Sequence, residues 1–161
     1  MSTESAVQPE EPLLPWMRFV LRFVAVFNVL AGLFMLVCTH ETYKIIGMPK
    51  PQISFPMQLV GILVGLFGVG YYLVAKSPLE NRAVLMLGFW SKFLGSCLGT
   101  AYVLRGRLPW QFVLVFLLAD VIYLPPFYII LRRLYRIAAE LQSGVPTPEP
   151  APPTPPAQPA V

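Results

Sequence analysis

The chain has 161 residues, of which 56% are hydrophobic and 12% are charged, and its formal net charge is +4. Soluble domains carry about 25% charged residues, so this composition excludes an ordinary soluble domain and indicates an integral membrane protein. The basic residues flank the apolar runs and do not form a patch, which is typical of contact with lipid headgroups. We therefore predict the lipid bilayer as a partner and no nucleic-acid partner.

The apolar runs predict four membrane-spanning helices, at about residues 19–38, 57–75, 83–104 and 110–131. Each approaches or exceeds the ~20 residues needed to cross the hydrocarbon core. In lipid the backbone must satisfy its own hydrogen bonds, which favours helices. Because the connections 77–82 and 105–109 are short, neighbouring helices must be antiparallel. The predicted fold class is an all-α, four-helix transmembrane bundle.

The segments outside the spans are predicted to be less regular. Residues 1–16 are acidic and interrupted by proline, so we interpret them as a disordered N-terminal segment and not as a secretory signal. Residues 39–56 contain three prolines and are predicted to form an irregular interfacial loop. The helical pattern continues after the fourth span, which predicts a short amphipathic extension of a membrane domain over 17–142. Residues 143–161 form a proline-rich tail that cannot bury a core, and we predict that it is disordered.

The distribution of lysine and arginine near the span ends predicts the orientation in the membrane. The face with both termini carries Arg18, Arg22, Lys76, Arg82, Arg132, Arg133 and Arg136, and the opposite face carries Lys44, Lys50, Arg105 and Arg107. This asymmetry predicts that both termini are cytoplasmic.

Two opposite charges lie near the middle of the last two spans. Lys92 and Asp120 are each 14 residues from Gly106, which lies in the connection between those spans. At about 1.5 Å rise per residue, two antiparallel helices joined there bring both charges to the same membrane depth. A lone charge at a helix centre costs roughly 2.5–3.5 kcal/mol, so we predict a buried ion pair. Asn28, near the centre of the first span, is predicted to complete an intramembrane polar cluster.

Small residues predict where the helices approach closely. The spacing GxxxG, which lets helix backbones come together, occurs on the second span and on the face of the third span that carries Lys92. The residues are Gly61, Gly65 and Gly68 on the second span and Gly88, Gly95 and Gly99 on the third. Pro125 and Pro126 are predicted to kink the fourth helix, because they remove the bonds to the carbonyls of Val121 and Ile122. Such a kink favours a small pocket.

No motif indicates catalysis or metal binding. The single histidine, His40, stands next to Glu41, but a metal site needs further ligands. Cys38 and Cys97 lack the CxxC spacing. We therefore predict no catalytic residue, no metal and no cofactor that a motif would identify, and we expect the protein not to be an enzyme.

The run GFWSKFLGSCLGTAYVLRGRLPW at 88–110, followed by ADVIYLPPF at 119–127, resembles the second half of small bacterial membrane proteins of the DoxX-like family. The resemblance covers about residues 17–135 and depends on the placement of glycine, lysine and aspartate. It implies four helices and a bacterial inner membrane. For some relatives it also implies association with quinone-linked or thiol redox systems. That activity is not carried over, because the chain has no cysteine pair to support it.

Three functional hypotheses follow. The favoured one is a non-enzymatic component or accessory subunit of a membrane process, in which the Lys92–Asp120 pair is a structural bridge. It would associate with other membrane subunits or with itself. The first alternative is a small proton-coupled transporter that uses the polar cluster. The second is a quinone-linked redox accessory subunit, in which tyrosines or Trp90 line a quinone site.

Overall fold

The structure of the protein, a computed structural model, describes residues 11–49 and 51–143. All regular secondary structure in these residues is helical, which confirms the predicted fold class. The helices are α1 Pro15–Val37, α2 Thr39–Ile45, α3 Phe55–Lys76, α4 Arg82–Leu104, α5 Gln111–Ala119 and α6 Leu124–Ser143, with a short 3₁₀ helix, Val121–Tyr123, between α5 and α6. The greater part of the predicted disordered segments, residues 1–10 and 144–161, lies outside the described residues.

Four helical stretches are long and apolar enough to cross a membrane: α1, α3, α4, and α5 together with α6. Large apolar side chains such as Val26, Leu66 and Leu98 are well exposed on their outer surfaces. A soluble protein would bury such residues, whereas helices surrounded by lipid present them outward. The helices therefore support a multi-pass membrane protein.

The most extensive helix contact is between α1 and α3. A Cβ atom at Gly61 would lie 2.8 Å from the carbonyl oxygen of Gly32, and one at Gly68 would lie 2.8 Å from that of Ala25. Neither position can accept a side chain while the two backbones stay this close. Gly32 on α1, which the sequence did not single out, is therefore the partner of Gly61 and Gly65 on α3.

The main hydrophobic core lies at the end of the bundle where α1 and α4 begin and α3 ends, and we call this end the packed half. Its fully buried members come from the segment just before α1, the start of α1, the end of α3, the start of α4, and α6. They are Leu13, Leu21, Val24, Tyr71, Val74, Leu85, Phe127, Ile130 and Leu134. The Nη2 group of Arg133 donates to the carbonyl of Glu11 at 3.0 Å, which ties α6 to the N-terminal segment.

The assignment of residues 11–16 to a disordered segment is wrong. Leu13 is buried in the packed half, and α1 begins at Pro15. Proline suits the first turn of a helix, because its missing N–H would have no partner there and its φ is already helical. Pro15, which the sequence indicates as a break in the chain, is instead the first residue of a helix.

The prediction of an irregular loop over 39–56 is also wrong in its first part, which forms α2. The prolines of this segment come only after α2, so nothing interrupts helical bonding there. The hydroxyl of Thr39 donates to the carbonyl of Met35, and that of Thr42 to the carbonyl of Cys38, each at 3.1 Å. The chain leaves α2 at Gly47, whose φ of 72° is a backbone conformation that favours glycine.

The fourth span is not one continuous helix. α5 ends at Ala119, and Pro125 and Pro126 lie in the first turn of α6, where a missing N–H costs little. The interruption thus lies about one turn before the prolines and not at them. Because Pro125 has no N–H to offer the carbonyl of Val121, that carbonyl accepts a 3₁₀ bond from the N–H of Leu124.

The continuation of α6 corresponds to the predicted amphipathic extension. Leu131, Leu134 and Ile137 are buried, so this part of α6 packs into the bundle. Its other face is attached to α4: the hydroxyl of Tyr135 donates to the sulfur of Met86 at 3.3 Å.

Candidate functional site

A cavity of about 650 Å³ lies between the α1–α3 pair and the α4–α5 pair, at the end of the bundle that carries α2. We call this end the hollow half. Most of its lining is apolar and includes the rings of Phe27, Phe67, Phe112 and Phe116. Sites that bind small molecules are typically of about 300–1,000 Å³ and largely apolar. The cavity therefore has the size and the character of a ligand site.

The cavity exists because α5 packs on α4 and leaves α1 and α3 without a close neighbour on this side. Among the described elements, the main contacts of α5 are with α4 and the following 3₁₀ helix. The ring of Phe116 fills the place where a Cβ at Gly99 would lie, which brings α5 close to α4. No residue of α5 is fully buried.

Lys92 and Asp120 form an ion pair on the wall of this cavity. The Nζ atom of Lys92 lies 2.8 Å from Oδ1 of Asp120, and the two side chains are 8% and 24% exposed. The same Nζ atom donates to the carbonyl oxygen of Ala119 at 2.7 Å. An ammonium group has three donors, so one N–H of Lys92 remains for another partner.

The second contact of Lys92 follows from the interruption of the fourth span. In a continuous helix the carbonyl of Ala119 would accept from the N–H of Tyr123, but that N–H donates to the carbonyl of Asp120 at 3.1 Å. The carbonyl of Ala119 is therefore left without a helical partner at the end of α5. Lys92 supplies the missing donor, and its positive charge suits the negative end of the helix dipole. The sequence analysis expected freed carbonyls at Val121 and Ile122, later along the chain.

Asn28 lines the same cavity but does not bond to the ion pair. Its Nδ2 atom donates to the carbonyl of Val24 on its own helix at 2.8 Å. Among the described residues, Asn28 makes no hydrogen bond to Lys92 or Asp120. The three residues of the predicted polar cluster thus share one cavity without forming one hydrogen-bonded network. Tyr123 also approaches Lys92, with its ring centroid 5.6 Å from Nζ.

The polar part of the cavity wall, formed by Asn28, Lys92 and Asp120, can form further hydrogen bonds. Of the polar groups of Asn28, Lys92 and Asp120, three form no hydrogen bond to another described residue: the side-chain oxygen of Asn28, the second carboxylate oxygen of Asp120, and one N–H of Lys92. These groups offer both donors and acceptors. A molecule in the cavity can therefore bond to the wall through a hydroxyl or a carbonyl group.

The glycines predicted to pack closely have three different environments. Gly61 and Gly68 face the backbone of α1, whereas Gly88 and Gly99 face the rings of Tyr71 and Phe116. A Cβ atom at Gly65 or Gly95 would meet no atom within 4 Å. Gly95 lines the cavity, and Gly65 lines a separate shallow groove on the outer side of the α1–α3 pair.

Other residues from the sequence analysis lie apart from the cavity. Trp90 is half exposed on the outer surface of α4 and does not line the cavity. His40 is exposed, and no group of three possible metal ligands occurs in the described ranges. Cys38 and Cys97 are both free thiols.

No family model, no curated protein and no solved structure matches this chain. The resemblance to the DoxX-like family therefore stays a prediction.

Proposed function

We propose that this protein is a non-enzymatic component of a bacterial inner membrane, with both termini in the cytoplasm, and that it binds a small, largely apolar molecule in its cavity. One observation supports the proposal above all others: the buried ion pair forms part of the wall of a 650 Å³ cavity whose remaining lining is mostly apolar.

A purely structural bridge would account for the ion pair but not for the space beside it. Protein interiors are normally packed about as densely as organic crystals, and the packed half follows that rule. Apolar cavities are poorly filled by water, because water finds few hydrogen-bonding partners there. An apolar guest molecule is therefore the favourable occupant of the hollow half, with its polar group against Lys92 and Asp120.

The proposal is tested with a pair of variants that differ only in where the added side chain lies. Gly95→Leu introduces a side chain into the cavity, and Gly65→Leu introduces the same side chain into the outer groove. The full-length proteins are purified from bacterial membranes in mild detergent, extracted with solvent, and analysed by mass spectrometry. We expect one lipophilic molecule to copurify with the wild type and with Gly65→Leu, and to be lost from Gly95→Leu. Equal recovery from all three proteins, or none from any, would contradict the proposal.

The proposed orientation has a separate test. A fluorescent protein that folds only in the cytoplasm is fused to the C-terminus, and alkaline phosphatase, which is active only outside the cytoplasm, is inserted at Gly106. We expect both reporters to be active. A dark C-terminal fusion with inactive phosphatase would reverse the assignment of the two faces.

A proton-coupled transporter is the second candidate. It is favoured by the greater exposure of Asp120 than of Lys92, because the carboxylate is then the partner that a proton can reach from the cavity. Liposomes that contain the protein and a pH-sensitive dye would test it after addition of the copurified molecule. A transporter shows proton uptake that Asp120→Asn abolishes, whereas a binding component shows none.

The quinone hypothesis concerns the identity of the guest molecule. Its support is now the apolar cavity with a polar wall, since Trp90 lies outside that cavity. If a short-chain quinone binds, Trp90→Ala should bind it as the wild type does, and Gly95→Leu should not. A thermal shift measured with each protein decides between these outcomes.

A further inference from the structure

We infer that the guest molecule is an uncharged, single-chain amphiphile whose polar head lies deep in the bundle, at Lys92 and Asp120, and whose tail extends toward α2. This inference rests on the proposed function, namely that the cavity binds a largely apolar molecule. It adds the charge of that molecule and its direction.

The charge of the guest follows from the charge balance of the wall. Lys92 and Asp120 are the charged residues among those described that line the cavity, and their opposite charges cancel. A carboxylate or phosphate head would bring a third charge into a region of low polarity with no free counter-charge to meet it. Uncompensated charges are costly there, so the wall favours a neutral head.

The chemistry of the head follows from the groups that remain unbonded. One N–H of Lys92 can donate, and the free oxygens of Asn28 and Asp120 can accept. A hydroxyl both donates and accepts, and a carbonyl accepts, so either head satisfies part of the wall. A bulky phospholipid headgroup would meet aromatic side chains at this depth in place of water.

The direction of the guest follows from the two ends of the cavity. Asn28, Lys92 and Asp120 lie at its inner end, next to Tyr71 of the packed half. The outer end is lined mostly by apolar side chains of α2 and the segments around it, including Ile46, Met48 and Met57. The hydroxyl of Thr42, also at this end, is already bonded to the carbonyl of Cys38. An alkyl tail therefore fits the outer end and a polar head fits the inner one.

The charge is tested with two probes of equal chain length, 1-dodecanol and dodecanoate, on the full-length protein in nanodiscs at pH 8. We expect the alcohol to raise the melting temperature at a concentration at least about tenfold lower than the acid requires. The alcohol should act on Gly65→Leu as on the wild type and should have no effect on Gly95→Leu.

A change of selectivity provides the sharper test. Asp120→Asn leaves the charge of Lys92 without its partner, so the same site should now prefer the acid. We expect the ratio of alcohol to acid affinity to fall by about tenfold or more. Size-exclusion chromatography shows whether this variant is folded. If it is not, the two probes on the wild type decide the question of charge.

The outcomes separate this inference from the proposed function. If dodecanoate binds the wild type as tightly as dodecanol, and Gly95→Leu abolishes both, the cavity is a binding site and the neutral head is refuted. If neither probe binds and no molecule copurifies, both the proposed function and this inference fail.

The direction is tested by photochemical cross-linking with two dodecanol derivatives. One carries a diazirine at the tail end and the other carries it next to the hydroxyl. We expect the tail probe to label peptides of 43–57 and the head probe to label peptides of 115–120. The opposite labelling would overturn the inferred direction while leaving the site in place.

Discussion

The two halves of the bundle share α1, α3 and α4 but differ in the helix of the fourth span that completes them. In the packed half, α6 inserts Phe127, Ile130 and Leu134 among side chains of α1, α3 and α4, and all three are fully buried. In the hollow half, the shorter α5 stays against α4, and none of its residues is fully buried. The difference arises at the interruption before α6, because it divides the fourth span into one helix that packs on α4 and another that packs on both α4 and α1.

The ion pair lies at the boundary between these halves. Lys92 binds both Asp120 and the carbonyl of Ala119, the last residue of α5. The lysine thus neutralises a charge and also completes the end of a broken helix. The interruption, the charge pair and the cavity are therefore one connected feature of the bundle.

The largest expected effect comes from removing the lysine. Lys92→Met leaves the carboxylate of Asp120 and the carbonyl of Ala119 without a partner, so we expect a loss on the order of 3 kcal/mol in the free energy of unfolding. Asp120→Asn should cost less, because the bond from Lys92 to Ala119 remains. The measurement is denaturant unfolding in detergent micelles.

The exchange of both charges, Lys92→Asp with Asp120→Lys, is the control for this prediction. It should recover only part of the loss, because an aspartate at position 92 cannot donate to the carbonyl of Ala119. Full recovery would show that only the ion pair matters, and equal stability of all variants would remove its structural role.

Truncation of one phenylalanine in each half should change stability by an intermediate amount that differs between the halves. Phe127→Ala opens a void in the packed half, where the ring lies 5.0 Å from that of Tyr71. We expect a loss of about 2 kcal/mol, mainly from the cavity left behind, since transfer to lipid contributes little inside a membrane. Phe112→Ala removes a ring that already borders empty space and should cost no more than about 0.5 kcal/mol. Thermal unfolding of both variants tests this comparison. Similar losses of stability would show that side chains pack as closely in the hollow half as in the packed half.

The smallest effect concerns two glycines of α4 that lie two turns apart. A methyl group at Gly88 would overlap the buried ring of Tyr71, whereas one at Gly95 would meet nothing within 4 Å. We expect Gly88→Ala to lose about 1 kcal/mol through overpacking. Gly95→Ala should be neutral or gain a few tenths of a kcal/mol from its helix propensity, by roughly the scale that separates glycine from alanine. Equal changes in melting temperature for the two variants would contradict the difference in packing.

The sequence predicts how deep along its helix each residue of the site lies. Lys92 and Asp120 are equally far from Gly106, and a regular rise per residue converts that count into a common depth. The position of Asn28 beside the same cavity also follows from a count of residues along its helix. The hydrogen bond from Asn28 to the carbonyl of Val24 cannot be predicted in this way, because a side-chain amide can donate to its own helix as readily as to a neighbouring one.

The glycines show what a count of residues along one helix cannot predict. The spacing of Gly88, Gly95 and Gly99 places them near one face of α4, yet rings fill the space beside two of them and the third faces the cavity. Which neighbour approaches a glycine depends on the other helices, and the pattern of one helix carries no information about them. Gly32 was missed for a related reason: it has no GxxxG partner on its own helix, although its place opposite Gly61 is essential to the α1–α3 contact.

Four apolar stretches that form helices in alternating directions, and two opposite charges at one depth, can be predicted from the amino-acid sequence. These properties follow from hydrophobic length and helical rise, which are local. Only the tertiary structure decided that α5 ends at Ala119, that Lys92 completes its last turn, and that a cavity opens beside them. The space between helices depends on the side chains of all of them together, and no single segment of the chain specifies it.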